Sequence, residues 1–301
     1  MLFNRPNIAL QILIMETKIS LIGTGSMGTA LAKLLLKSGY SVTAWNRTIS
    51  KAEILLQDGI IVAPTVKDAI LESHIIIICV ADYATTDKIL KIAEVENVLK
   101  NTTIIQLSTG TPNDAKASAA WAKTIKAEYL DGAIMVTPSQ MGHSEALMLL
   151  SGSEASFKKH ETILKTLAPN TLYLGEGAGV ASSLDLALLS YFFSALIGFS
   201  HAALICKKEG IDIGLLGTFT QNWSPAMGTI MKRVSDIIQS DNYLATESTI
   251  NTCYVAMELI KRHAEEVQIS DTYPKFATEI FKKAMQAGFS NEDGAAILKV
   301  L

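Results

Sequence analysis

Two places in the sequence combine residue types and spacing that can do chemistry. The first is Gly23-Thr24-Gly25-Ser26-Met27-Gly28, lying between the apolar run KISLIG and a helix-periodic segment. In that setting Gly23 allows a tight turn, Gly25 lets the backbone approach a pyrophosphate, and Gly28 lets helix and strand pack closely. The pyrophosphate then rests on the helix N-terminus, against free N–H groups and the helix dipole. Three spaced glycines alone are a weak signal. Here the preceding strand, the following helix and a second strand, SVTAWN, all fall where a dinucleotide fold needs them. The end of SVTAWN selects the dinucleotide. Where an NAD-binding chain places an acid for the ribose 2′-hydroxyl, this one reads Trp45-Asn46-Arg47-Thr48, with Lys51 close behind. No carboxylate there repels a 2′-phosphate. Arg47 offers a planar fork, and Thr48 and Lys51 add a hydroxyl and a charge. The cofactor reading is NADPH, set against Arg47 as a plain solvated surface residue.

The second place is Asp185, the one formally charged residue between Gly177 and Cys206. A carboxylate beside an apolar helix is costly unless it is paired or hydrogen-bonded. It is either a first-turn acid complementing the helix dipole or a functional group. The helix leaves the dinucleotide-binding domain directly, so its start should border a cleft, where ligands bind. That placement favours function.

Positioning these residues requires an α/β domain. Strand-like runs alternate with amphipathic segments from Lys18 to about Gly175: KISLIG, a helix over Met27–Ser38, SVTAWN, then strands over Ile75–Ala81, Thr102–Ser108 and Ala127–Val136. Continuous apolar runs such as IIIICV suit strands buried on both faces of a parallel sheet. After Gly179 the pattern turns helical, over Val180–Lys208, Ile213–Phe219, Pro225–Gln239, Thr246–Glu266, Tyr273–Ala287 and Asn291–Leu301. The expected architecture is α/β: an N-terminal Rossmann dinucleotide-binding domain over residues 16–176, a long interdomain helix, and an all-α C-terminal dimerisation domain over 177–301. Residues 1–15 read as an extra N-terminal extension. They hold one arginine and an apolar run but no small-residue cleavage site, unlike a signal peptide.

The stretch Leu184–Cys206 is long enough to cross a bilayer. It lacks basic and aromatic anchors on its N-terminal side and reads instead as a helix buried in protein. One small domain cannot easily cover it, which predicts a homodimer with interlocked helical domains. The 301 residues, 49% hydrophobic and 18% charged, with a formal net charge of −3, suit a two-domain globular chain with no basic face for nucleic acid. The five histidines lie at no metal-ligand spacing, so no metal is expected. Cys79, Cys206 and Cys253, odd in number and each in an apolar stretch, read as free thiols of a cytoplasmic protein.

These residues resemble the β-hydroxyacid dehydrogenase superfamily, and within it the imine reductases and reductive aminases. The matching pieces are LIGTGSMG, WNRT, QLSTGTP (Gln106–Pro112), YLDGAIMVTP (Tyr129–Pro138), LDLALL (Leu184–Leu189), GFSHAALICKKEGI (Gly198–Ile211) and the closing AAILKVL. Hydroxyacid dehydrogenases have a catalytic lysine near the start of the interdomain helix, whereas this sequence has Ser183 and Asp185 there and no lysine before Lys207. They also follow the strand Asp with Ser-Gly-Gly, whereas Asp131 precedes an apolar Gly-Ala-Ile-Met-Val-Thr-Pro. Both departures point away from a small hydroxy acid. Imine reductases carry Asp or Tyr at the lysine position, and Asp185 matches the Asp form. Reductive aminases often have Asn in the loop where this chain has Thr109. The resemblance implies reduction of C=N by hydride from NADPH, with Asp185 either donating a proton or stabilising an iminium. It further implies Val80, Ser108 and Thr109 at the cofactor, Met135 and Pro138 shaping the substrate pocket, and Tyr191 and Trp223 as aromatic walls, set against plain packing for the last two. The alternatives are an NADP-dependent hydroxyacid dehydrogenase and a non-catalytic NADPH-binding protein.

Overall fold

A computed structural model describes residues 17–244 and 247–301; the expected N-terminal extension lies outside them. The strands are β1 (Lys18–Ile22), β2 (Ser41–Trp45), β3 (Ile61–Val62), β4 (Ile75–Ile78), β5 (Thr103–Gln106), β6 (Glu128–Ile134), β7 (Leu147–Gly152) and β8 (Asn170–Tyr173). They form one sheet in the order β3-β2-β1-β4-β5-β6-β7-β8. Successive side chains of a strand point to opposite faces, and β4 shows why an unbroken apolar run was needed. Ile75 and Ile77 pack with Leu31 and Leu35 on one side. Ile76 and Ile78 pack with Val66, Ile70 and Ile89 on the other.

The covering helices are α1 (Ser26–Lys37), α2 (Ile49–Glu53), α3 (Val66–Leu71), α4 (Tyr83–Leu90), α5 (Ala93–Glu96), α6 (Pro112–Thr124) and α7 (Glu154–Leu167). The strand order reverses direction between β1 and β4, and the turns leaving these two strands frame the crevice where such sheets bind ligands. The sheet departs from the all-parallel expectation at one edge: β7 runs antiparallel to β6, and β8 is parallel to β7. Between β6 and β7 there is only a short 3-10 turn over Pro138–Gln140, with no crossover helix to restore direction.

The long helix α8 (Val180–Lys208) has the span expected of it. Contacts divide the chain inside it, one compact unit ending at Leu189 and the other running Ser190–Leu301. The rest of the second unit is α9 (Ile213–Ser240), α10 (Ile250–Glu266), α11 (Thr272–Gln286) and a closing 3-10 helix over Gly294–Val300.

Three sequence expectations are corrected here. The helices expected over 213–219 and 225–239 are one helix, which continues through Pro225. Proline removes one amide and crowds the carbonyl four residues back. The helix is sustained around it, and hydroxyls of Thr218, Thr220, Ser224 and Thr229 bond back to carbonyls four residues earlier. The closing segment is 3-10, not α, with Asp293 accepting from the Ala295 amide at its start. The helix expected from Thr246, a residue outside those described, begins at Ile250, where Thr249 caps the Thr252 amide at 3.1 Å.

The second unit has a small core around Ile237, Tyr243, Ile250 and Ala284. It leaves large apolar side chains of α8 in solvent: Phe192, Phe193 and Ile197 are 54–56% exposed. Only 17% of the most apolar 18-residue window of α8 is buried within one chain. The expectation of a helix buried in protein is therefore not met by a single copy.

Candidate active site

The glycine turn is built as its spacing implied. Gly23 has φ +104°, and a Cβ there would lie 2.2 Å from the Cys79 carbonyl oxygen. A Cβ on Gly28 would lie 2.0 Å from the Gly23 carbonyl oxygen. A Cβ on Gly25 would meet nothing within 4 Å, so the open space there belongs to whatever the loop binds. Gly25 is also the N-cap of α1 and supplies no side-chain hydrogen bond. The first amides of that helix are thus left for an anion.

Around the turn lies a cleft of about 440 Å³ lined by Gly23, Gly25, Ser26, Met27, Gly28, Asn46, Arg47, Thr48, Lys51 and Val80, together with Trp45, Cys79, Ala81, Thr85 and Ile89. None of these is acidic. Arg47 and Lys51 are exposed and form no ion pair among the described residues. Asn46 fastens the loop: its Oδ1 accepts from the Thr24 amide at 3.1 Å and its Nδ2 donates to the Thr48 carbonyl at 2.9 Å. Thr24 sits behind the cleft lining, buried, and its Oγ1 has no partner among the described residues. Ser108 is buried and its Oγ accepts from the Val80 amide at 3.0 Å, tying the β5 turn to the cleft wall. Thr109 beside it is exposed. Burial pushes the Cys79 thiol up to about 11, which leaves it an unreactive wall.

Asp185 is 6% exposed. Since α8 starts at Val180, Asp185 lies beyond the first turn, and that turn holds no acid. The helix-dipole reading is thereby corrected, because that effect fades within the first turn. Burial, and after it the neighbouring Asp131, push the Asp185 carboxyl above the usual carboxylate range. No ion pair reaches Asp185 or Asp131 among the described residues.

Asp131, wholly buried on β6, accepts from the Ser182 amide at 3.1 Å and from the Ser182 hydroxyl at 2.9 and 3.0 Å. It also accepts from the Tyr83 hydroxyl. The Tyr129 hydroxyl lies 3.4 Å from that of Tyr83. Burial, then Tyr129 and Asp131, raise the Tyr83 phenol, so it keeps its proton and donates.

Met135 packs against Ala133, Leu149 and Ala181, and Pro138 opens the 3-10 turn. In the second unit Tyr191 and Trp223 line one groove with Phe199, Phe219 and Met227, and are 55% and 60% exposed.

Residues 18–175 match the family model described as the NAD binding domain of 6-phosphogluconate dehydrogenase. Residues 177–301 match the NADPH-dependent reductive aminase-like C-terminal domain. The NADPH-dependent reductive aminase of Aspergillus oryzae is 32% identical over 291 residues, which cover 95% of this chain and 97% of that protein. The chain belongs to the imine reductase and reductive aminase family. Solved structures agree. The imine reductase from Myxococcus stipitatus in complex with NADP+ is 35% identical, with TM-score 0.89 over 94% of this chain and 99% of that one. The reductive aminase from Aspergillus terreus in complex with NADPH4, cyclohexanone and allyl amine is 32% identical, with TM-score 0.88 over 94% and 98%. As a member of the family the chain is an NADPH-dependent oxidoreductase.

Within this imine reductase fold, sequence reasoning missed Tyr83 and Ser182, and noted Asp131 only as a landmark of its strand. Asp131 did leave a signal, a lone charge inside the buried run YLDGAIM. Tyr83 left none, because its partner is 48 residues away.

Proposed function

We propose that this chain reduces a C=N bond to an amine, with Asp185 providing the proton that the nitrogen gains. When bound, the dihydronicotinamide supplies the hydride. The observation that carries the reading is the state of Asp185. It is buried, has a carboxylate rather than a cation beside it, and is held above the usual carboxylate range. Those conditions favour the protonated acid. An acid in that state can donate to an imine nitrogen and so make its carbon electrophilic. The apolar surroundings of Met135 suit an apolar substrate. The test is NADPH oxidation across a panel of cyclic imines, with 3-hydroxy acids plus NADP run alongside. Turnover on imines alone is expected. Turnover only on the hydroxy acids, or tight NADPH binding with no turnover, overturns the reading.

The cofactor fits the residues present. The uncapped amides of α1 and the open space at Gly25 suit the pyrophosphate side. Arg47, Thr48 and Lys51 are the groups we assign to the 2′-phosphate, with Val80, Ser108 and Thr109 toward the nicotinamide. Arg47→Ala should raise the KM for NADPH roughly tenfold, the loss of one charge-assisted contact, and barely change that for NADH. Equal use of both cofactors by the unaltered protein refutes the assignment.

The working form we propose is a cytoplasmic homodimer, built from a dinucleotide-binding domain over 16–176 and a helical domain over 177–301, with Tyr191 and Trp223 as substrate walls. The exposed apolar face of α8 supports the dimer, since apolar surface of that extent on a soluble chain marks an interface. Three free cysteines suit a reducing compartment. Light scattering at low concentration should give twice the chain mass; a stable folded species of 32.5 kDa refutes the dimer.

A further inference from the structure

The first amides of α8 are not capped by the helix's own residues. The Ala181 amide donates to the Ser151 hydroxyl of β7 at 3.1 Å. The Ser182 amide donates to the Asp131 carboxylate of β6 at 3.1 Å. Two neighbouring strands therefore grip the opening turn of the helix. Ser182 and Asp185, three residues apart, share one helix face, so whatever fixes residue 182 fixes the base of residue 185.

Of these two grips, the Asp131 grip is the elaborate one. Every partner of its carboxylate is a donor, the arrangement an ionised carboxylate accepts: the Ser182 amide and hydroxyl from α8, and the Tyr83 hydroxyl from α4. Tyr83 is in turn held by the Tyr129 hydroxyl and by the turn after β5. A Cβ on Gly110 would come within 2.2 Å of the Tyr83 ring, so a side chain there would push the phenol off the carboxylate. This much construction around a wholly buried charge exceeds what pinning one helical turn requires, as the single Ser151 hydroxyl shows.

We propose that Asp131 is a positioning residue of the imine-reduction site, acting through Asp185: it fixes the helical turn beneath Asp185 and presents a fixed negative charge to it. The inference rests on the reading of Asp185 as proton donor. The ionisable group beside Asp185 is Asp131 of β6, with Tyr83 of α4 and Tyr129 of β6 gathered around Asp131, and no lysine, arginine or histidine pairs with Asp185 among the described residues. Burial is the larger cause of the upward shift of the Asp185 carboxyl, and Asp131, a negative neighbour that disfavours its ionisation, adds to it. The donor thus stays protonated to a higher pH, and turnover should fall as pH rises through the Asp185 pKa. Asp131 extends the working range on the alkaline side.

Asp131→Asn keeps one acceptor oxygen, for the Ser182 amide or for the Tyr83 hydroxyl, turns the other position into a donor and removes the charge. Its alkaline limb in kcat against pH should move down by about one pH unit, so that kcat above the limb falls about tenfold, with the NADPH KM unchanged. Asp131→Ala, which also frees the helical turn, should show the same shift and a lower kcat at every pH. A merely structural Asp131 would lower the unfolding midpoint and leave the limb in place; that result for a folded Asp131→Asn overturns the proposal. Should neither variant fold, the unaltered protein labelled with ¹³C at aspartate carboxyls decides it, the Asp185 signal being assigned by its loss in Asp185→Asn. Titration of that signal above the ordinary carboxylate range, with the signal of its neighbour Asp131 (the other one displaced in Asp185→Asn) at the position of an ionised carboxylate throughout, supports the proposal; titration within that range, or a protonated Asp131, overturns it. Near-normal turnover by Asp185→Asn would instead remove the donor reading itself, a separate failure.

Discussion

Asp185→Asn should lower kcat for imine reduction by roughly 100-fold or more and leave NADPH affinity as it was. Asparagine keeps the shape of the side chain but carries neither an acidic proton nor a charge. Because Asp185 lies in the second turn of α8, with no acid in the first, loss of a dipole interaction should not confuse the result; such a loss would cost about 1 kcal/mol of stability or less. Two substrates separate the chemical roles. On a preformed, permanently charged iminium no proton is needed, so turnover recovered by the variant marks the residue as a donor. Turnover still lost on that substrate marks it as a counter-charge to the cation, and the donor reading falls. Near-normal rates on both substrates remove Asp185 from the mechanism.

Gly28→Ala should abolish useful cofactor binding, with affinity down by roughly 100-fold or more, and should destabilise the fold by about 3 kcal/mol. The added carbon would meet the Gly23 carbonyl oxygen at 2.0 Å, and that atom is backbone with nowhere to turn. Relief requires α1 to move off the β1 turn, which takes the amides of its first turn away from the pyrophosphate. Gly25→Ala is the contrasting case. Nothing lies within 4 Å of its added carbon, so the unfolding midpoint should hold while NADPH affinity falls by about tenfold, since only the bound cofactor occupies that space. Urea unfolding without cofactor and a fluorescence titration with NADPH read the two effects separately. A Gly28→Ala protein with the original midpoint and affinity, or a Gly25→Ala protein that binds as tightly as before, would show that the loop is not the cradle described.

Much of this was legible in the sequence because the physical causes are local. A strand, a glycine turn and a helix follow one another within twenty residues, and Arg47 stands at the end of the next strand. The span of α8 was legible because a long apolar run bounded by Gly179 and Gly210 leaves little choice. What the sequence hid depends on distant partners. The grip of Asp131 on Ser182 joins residues 51 apart, and the register that permits it is set by the sheet. The strand β7, LMLLSG, was not read as a strand from the sequence, and its reversal follows from the absence of a crossover helix after β6. Pro225 misled in the opposite way: as a local signal it ends helices, but the flanking turns outvote it.

The grip on the opening turn of α8 bears on how such a scaffold changes its chemistry over time. The amides of Ala181 and Ser182 are held by side chains of β6 and β7, so the place of residue 185 is set by backbone fastened elsewhere, and the residue itself holds nothing together. With Asp185 as the proposed donor, a substitution at 185 would exchange the reacting group without dismantling the scaffold that presents it. Position 185 is therefore a socket, free to evolve apart from the fold, and a lineage can pass from one acid–base group to another there through single folded intermediates.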